Sequence, residues 1–236
     1  QGALLLLRQC ASWCKLVYSA RTVPPSLHQG ALELFKGKLF SKLAHIAGGS
    51  LEERNWDLAQ LSVANGGLGL RDPVRHASAA FLKSLSHTSR LCTEIDSGFD
   101  VNDGAAGLHA AETRETLRGN VLQGASLSIG DRPLSQKGFS NLIDAAIGEK
   151  LKAEQSVDPT FVAHYTLCKV PGAGAWLTAP PSKDGRAIDS PLFQMSLKRR
   201  LRLQIFDGDS ACPCCGECLD KWGDHALSCM CSGDRT

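Results

Sequence analysis

Cys212-Pro-Cys214-Cys215-Gly-Glu-Cys218, Trp222-Gly-Asp-His225 and Cys229-Met-Cys231 crowd soft metal ligands into the last 25 of 236 residues, where six of the ten cysteines lie. A C-x2-C pair, Cys212 and Cys215, is followed after nine residues by an H-x3-C pair, His225 and Cys229. Three thiolates and one imidazole in two close pairs are the ligand set of tetrahedral zinc. Four protein ligands leave no open position for water, so the spacing points to a structural site and not a hydrolytic one. The segment carries few apolar side chains (Leu219, Trp222 and Leu227). Metal must therefore supply its folding energy, on the order of 10 kcal/mol, and without zinc it is expected to be disordered. Cys214, Cys218 and Cys231 are near enough to substitute as ligands; the set chosen is Cys212, Cys215, His225 and Cys229. A disulfide framework and free thiols are the competing readings; disulfide scaffolds are short secreted chains with cysteines throughout, and no signal peptide is visible.

Immediately upstream, Ser190-Pro191 opens a helix that the spacing extends toward Phe206, with Phe193, Leu197 and Leu201 on its apolar side. Lys198, Arg199, Arg200 and Arg202 fall within five positions of it. Beside a zinc module these four are the candidate phosphate contacts, because arginine forks match phosphate oxygens in pairs. The competing reading is a solvated face whose charges sit well near a helix C-terminus.

The elements that position these residues read as helices. Leu5, Cys10, Trp13, Cys14 and Val17 recur at helical spacing up to Val23-Pro24-Pro25. Ser26 is placed to cap a second helix with Leu32, Phe35, Leu39, Leu43 and Ile46 inward and Lys36, Lys38 and Lys42 outward, ended by Gly48-Gly49. Ser50-Leu-Glu-Glu53 is a capping box for a short helix holding Trp56. Asn65-Gly66-Gly67-Leu68-Gly69-Leu70 reads as a sharp turn, lacking the third glycine and preceding strand of a dinucleotide site. Asp72-Pro73 caps the next helix, which buries Ala77, Phe81 and Leu85, and leaves His76 and His87 as ordinary residues. Residues 97–107 form the expected linker, followed by a weak helix over 108–122 and a stronger one from Ser135 burying Phe139, Leu142, Ile143, Ala146, Ile147 and Leu151. Asp158-Pro159 opens another, and residues 171–185 are too broken for a regular element, with Trp176 pinning an extended loop.

Composition agrees with a mainly α chain: 43% hydrophobic, 21% charged, 6% aromatic with two tyrosines. The formal charge of +2 falls to about +1 once three thiolates bind a divalent ion, so nucleic-acid affinity must come from local patches. The longest apolar run, Ala3 to Leu7, is far short of the ~20 residues that span a bilayer. No P-loop, G-x-S-x-G, H-E-x-x-H or paired aspartates in an apolar strand occur, and the lone Cys14 and Cys92 read as packing residues. The chain lacks an initiator Met and is expected to be a piece of a longer polypeptide.

Leu16-Val-Tyr-Ser-Ala-Arg21-Thr-Val-Pro-Pro25, Gly66-Gly-Leu-Gly-Leu-Arg71 before an alanine-rich helix, Ala175-Trp176-Leu177, Leu197-Lys-Arg-Arg-Leu201, and Cys212-Pro-x-Cys215 with Gly223-Asp-His225-Ala-Leu-x-Cys229 come in a recognisable order. In that order the chain resembles the C-terminal part of non-LTR retrotransposon reverse transcriptases, of the type that carries a restriction-like endonuclease after its zinc knuckle. The closing Gly233-Asp-Arg235 looks like the junction before that nuclease. The resemblance implies a helical thumb-like bundle over 1–92, a helical linker over 93–170, and a basic helix with a CCHC zinc knuckle over 171–236. It implies RNA and DNA as partners, an upstream palm and fingers in the same polypeptide, and a nuclear location; zinc-bound thiolates themselves imply reducing, intracellular conditions. The family's F/Y-A-D-D palm aspartates do not occur here, so the implied role is a non-catalytic grip on template-primer and target DNA. The central loop is longer than in the retroviral knuckle, C-x2-C-x4-H-x4-C, so the resemblance does not by itself imply that module's mode of base stacking. The rival expectation is a zinc-stapled protein-interaction module without nucleic-acid binding.

Overall fold

A computed structural model of the chain describes residues 1–121, 135–154, 158–181, 187–208 and 210–231, and these are mainly helical. The elements are α1 (Gly2–Cys10), α2 (Val17–Thr22), α3 (Gln29–Ala47), α4 (Glu53–Gln60), α5 (Pro73–Ile95), α6 (Gly104–Val121), α7 (Gln136–Glu154), α8 (Pro159–Cys168), α9 (Ala175–Thr178) and α10 (Ser190–Arg200). A two-residue hairpin, β1 (Ser210–Ala211) and β2 (Cys218–Leu219), and the short α11 (Asp224–Ser228) follow. No described helix is long and apolar enough to cross a membrane. The junction expected at Gly233-Asp-Arg235 lies outside the described residues, as do residues 182–185; the rest of the 171–185 stretch, expected to hold no regular element, contains α9, with Trp176 in this one turn of helix and not in an extended loop.

The first expected helix is broken. Ser12 leaves helical geometry (φ −109°, ψ −139°) and its buried hydroxyl donates to the Arg8 carbonyl at 2.8 Å. The chain thus turns between α1 and α2, α1 buries Leu4 and Leu7, and Cys10 and Cys14 are exposed rather than packed. Local hydroxyl bonding of this kind competes with helix continuation. Ser26 does not cap α3; it sits in a 3-10 turn and its hydroxyl donates to Glu112 Oε2 at 2.8 Å, so the helix starts after His28. Its other end is as the sequence reads: Gly48 is left-handed (φ +67°), and the Gly48 and Gly49 N–H groups take the His45 and Ala44 carbonyls. The capping box moves two residues along, to Glu52 and Asn55 at the start of α4.

The glycine turn folds the chain back on α4. The Leu68 and Leu70 N–H groups both donate to the Ala59 carbonyl, and both leucines are fully buried. A Cβ on Gly67 would sit 2.2 Å from the Leu61 carbonyl oxygen and 2.5 Å from that of Leu58. Both neighbours are backbone, so Gly67→Ala is expected to cost about 3 kcal/mol. Gly119→Ala in α6, where a Cβ meets nothing within 4 Å, should instead gain up to ~1 kcal/mol. Urea midpoints of the two variants check this; equal midpoints would contradict it.

One core cluster draws Leu4 and Leu7 of α1, Leu39 and Leu43 of α3, Trp56, Leu117 of α6, Ile143, Ile147 and Leu151 of α7, and Phe193 and Leu197 of α10 into contact. Core residues of all three sequence segments therefore pack together, and α6 rises out of the expected linker to lie against α5. Three fully buried carboxylates stitch the helices. Asp72 caps α5 through the Val74 and Arg75 N–H groups and accepts from Trp56 Nε1 at 2.8 Å. Asp57 meets Arg75 at 3.0 Å and Lys150 at 2.8 Å, while Asp144 on α7 is held by Arg71, the Ser62 N–H and Asn65. Each is paired and hydrogen-bonded, as a buried charge must be.

Burial, helped by the Arg71 guanidinium, pushes His76 down to about 4, and burial with Arg202 and Arg199 does the same to His164. Unfolded imidazoles protonate near pH 6.5 while these stay neutral, so their stabilising contribution is whole above that pH and falls as pH drops toward 4. At pH 5 the loss is about 2 kcal/mol per histidine. Unfolding free energies at pH 7 and 5 should differ less in His76→Gln by that amount; an unchanged difference would contradict the assignment.

Candidate metal centre

Backbone hydrogen bonds of the C-terminal segment bring its two ligand pairs to one point. The β1–β2 hairpin pairs Ala211 with Cys218, the Cys212 N–H donates to the Glu217 carbonyl at 2.7 Å, and Gly216 (φ +74°) donates back to the Cys212 carbonyl. That tight turn places Cys212 and Cys215 on one side. Asp220 then organises the second pair: its carboxylate accepts N–H bonds from Trp222 (2.9 Å), Asp224 (3.1 Å) and His225 (2.7 Å). Burial opposes its ionisation, but these donors outweigh burial and hold the carboxyl below its usual range. Gly223 (φ +76°) lets the chain enter α11, and the Cys229 N–H donates to the His225 carbonyl, so one helical turn aligns His225 with Cys229.

The ligand atoms of Cys212, Cys215, His225 and Cys229 all lie within 4.8 Å of one another, a group that could hold a metal ion. Cys212 and Cys229 are buried, and their sulfurs are 3.9 Å apart. His225 Nε2 lies 3.1 Å from Cys215 Sγ, while Nδ1 faces Glu217 Oε2 at 3.9 Å, which leaves Nε2 as the metal-facing nitrogen. The Cys214 and Cys215 N–H groups aimed at the Cys212 sulfur pull that thiol down to about 6, whereas at Cys215 the Glu217 N–H is outweighed by burial and by the Cys212 and Cys229 sulfurs, which push it up to about 11, so one thiolate is favoured ahead of the other. Cys214, Cys218 and Cys231 are exposed and stand outside the group.

The basic run is arranged differently from the expectation. Arg200 is buried at 5% exposure and donates to four backbone carbonyls: Gly67, Ala173, Val63 and Cys168, at 3.1–3.4 Å. Arg202 is buried at 6%, pairs with Asp224 at 2.7 Å and donates to Thr160. Arg200 and Arg202, expected on the surface, are therefore buried, and their guanidinium groups are engaged inside the fold. Arg199 meets Asp224 at 2.9 Å, and among the described residues neither Lys198 nor Arg200, whose donors go to carbonyls, forms an ion pair. The helix also stops at Arg200 and does not run to Phe206. Arg202 takes the left-handed conformation (φ +57°) that glycine usually supplies, with Arg202 N–H to Arg199 and Leu203 N–H to Lys198 closing the end. A signal for Arg200 was in the spacing: 193, 197 and 200 fall on one helix face, so it extends the apolar stripe.

Asp224, which the sequence reading passed over, links the two features. It precedes the ligand His225 and holds two arginines from the end of α10, so the metal cluster is tied electrostatically to the helical body. The described residues thus define a mainly helical protein bearing a Cys3His group that could hold a metal ion. Comparison of the chain with families of known proteins, with characterised sequences and with solved structures found no match.

Proposed function

We propose that the chain is a non-catalytic nucleic-acid-binding portion of an RNA-directed DNA polymerase of the retrotransposon type, with one structural zinc ion held by Cys212, Cys215, His225 and Cys229. The observation that carries this reading is the convergence of those four ligands beside a basic helix end. The donor set suits zinc: bonds of ~2.3 Å to sulfur give a tetrahedral S···S edge of ~3.8 Å, against 3.9 Å between Cys212 and Cys229. The 3.1 Å between Cys215 and His225 is tighter than such an edge. When bound, zinc supplies a cross-link in a segment with little core of its own. The chain's own residues then grip RNA or DNA, with catalysis left to a palm and fingers upstream in the same polypeptide.

Zinc per chain, and the salt dependence of binding to labelled RNA and DNA, test the proposal. One zinc and an affinity that falls steeply with salt are expected; stoichiometric zinc with no binding would overturn the nucleic-acid part. The second reading, a zinc-stapled protein-interaction module, draws on the withdrawal of Arg200 and Arg202 into the fold, which leaves less basic surface than the sequence promises.

A further inference from the structure

A cavity of about 390 Å³ opens where the end of α10, the turn between α3 and α4, and the Cys/His module meet; Gly49, Arg54, Lys198, Arg202, Lys221 and Trp222 are among its lining residues. We propose that this cavity holds one unpaired nucleotide of a single-stranded nucleic acid, its base against Trp222 and its two flanking phosphates on Lys198 and Lys221, one each. The inference rests on the nucleic-acid reading above and gives it a site.

Three observations carry it. First, Trp222 is only half-buried and is flanked by cations: the Arg202 guanidinium lies 5.1 Å and the Lys221 ammonium 4.8 Å from its ring centre. Arg202 is buried and fixed, whereas Lys221 is exposed and free to swing toward a phosphate. Second, the charges on the wall leave a positive remainder. Arg54 is paired with Glu52 at 2.9 Å and Arg202 with Asp224, while Lys198 and Lys221 form no ion pair among the described residues. Asp207 is the one lining carboxylate outside those pairs, so two free ammonium groups face one free acid. Third, Arg202 Nε is buried without a hydrogen-bond partner, in the only non-glycine residue with positive φ among those described. That guanidinium, held by Asp224 and Thr160, fixes one side of the indole and leaves the two lysines to meet the phosphates.

The combination selects the ligand class. Phosphate alone would use the lysines and leave the indole idle; a duplex keeps its base faces stacked and hidden. An unpaired nucleotide uses both, since every base has a face to stack and a phosphate to neutralise. The volume is near the low end of small-molecule sites, enough for one nucleotide unit.

The test uses the full chain, zinc-loaded, with fluorescein-labelled ten-nucleotide oligouridine and oligothymidine and a blunt duplex of equal length. Trp222→Ala is expected to weaken single-strand binding on the order of 10-fold, and Trp222→Phe by less than about 3-fold. Lys198→Ala with Lys221→Ala should flatten the slope of log affinity against log salt by about 1.4, at ~0.7 per phosphate on single strands. Zinc content is measured for each variant, and if Trp222→Ala loses metal, the phenylalanine and lysine variants decide. Single-strand binding unchanged in zinc-loaded variants would overturn the site while leaving the nucleic-acid reading in place. Equal affinity for duplex, or displacement by polyglutamate as readily as by unlabelled oligonucleotide, would overturn the ligand class. A parent chain that binds no nucleic acid overturns both readings.

Discussion

Replacing Cys212 or Cys229 by serine is expected to release the metal and unfold residues 210–229 while the helices of the body remain. Both sulfurs are buried in the group, and the segment around them holds only a two-residue hairpin and one turn of helix. Structural zinc in small modules contributes on the order of 10 kcal/mol, far more than those elements can supply alone. The same variants should loosen the end of α10, because Asp224 reaches Arg199 and Arg202 only while α11 is folded. Far-ultraviolet circular dichroism should therefore stay close to the parent's, while amide exchange accelerates over 210–229 and more mildly around 199–203. Cys218→Ser, at an exposed cysteine outside the group, should change neither zinc content nor exchange. If Cys218→Ser lost metal as readily as Cys212→Ser, the ligand set would be wrong.

Arg200→Ala is expected to be the most destabilising single change in the basic run, by about 3–5 kcal/mol. One planar guanidinium closes four carbonyl groups from three separate stretches, the 3-10 turn at Val63, the glycine turn at Gly67, and the α8–α9 connection at Cys168 and Ala173. Removing it leaves those acceptors short of donors in a buried place. Arg200→Lys should recover little, since a compact ammonium on a flexible stem cannot span the same fork. The check is urea unfolding of both variants beside Lys198→Ala, which is expected to stay within ~0.5 kcal/mol of the parent. A phosphate-binding Arg200 would give the opposite pattern: normal stability and a flattened salt slope.

Apolar spacing and ligand spacing were legible in the sequence; polar partnership was not. The stripe Leu32, Leu39 and Leu43, the Gly48 stop and the Asp72 and Asp158 caps depend on residues close in the chain, and all appear in the structure. So does the cysteine-histidine group, because two short-range pairs need only one loop to meet. The unbroken first helix and the Ser26 cap failed because a hydroxyl can bond locally or across the fold: Ser12 took the Arg8 carbonyl, and Ser26 took Glu112. The arginine run misled for the same reason on a larger scale. Charge clustered in sequence reads as surface, yet Arg200 finds its carbonyls up to 137 residues away and Arg202 finds Asp224. Asp57 and Asp144 show the converse, carboxylates unremarked in the sequence that the fold buries because each meets partners far along the chain.

The most direct test of the account is equilibrium binding of labelled single-stranded RNA to the zinc-loaded and the chelator-treated chain at 50 and 200 mM salt. The account expects the zinc-loaded chain to bind, to weaken by roughly 7-fold between those salts for two phosphate contacts, and to lose most of its affinity when zinc is withdrawn. Binding that is absent, or indifferent both to salt and to zinc, would contradict it.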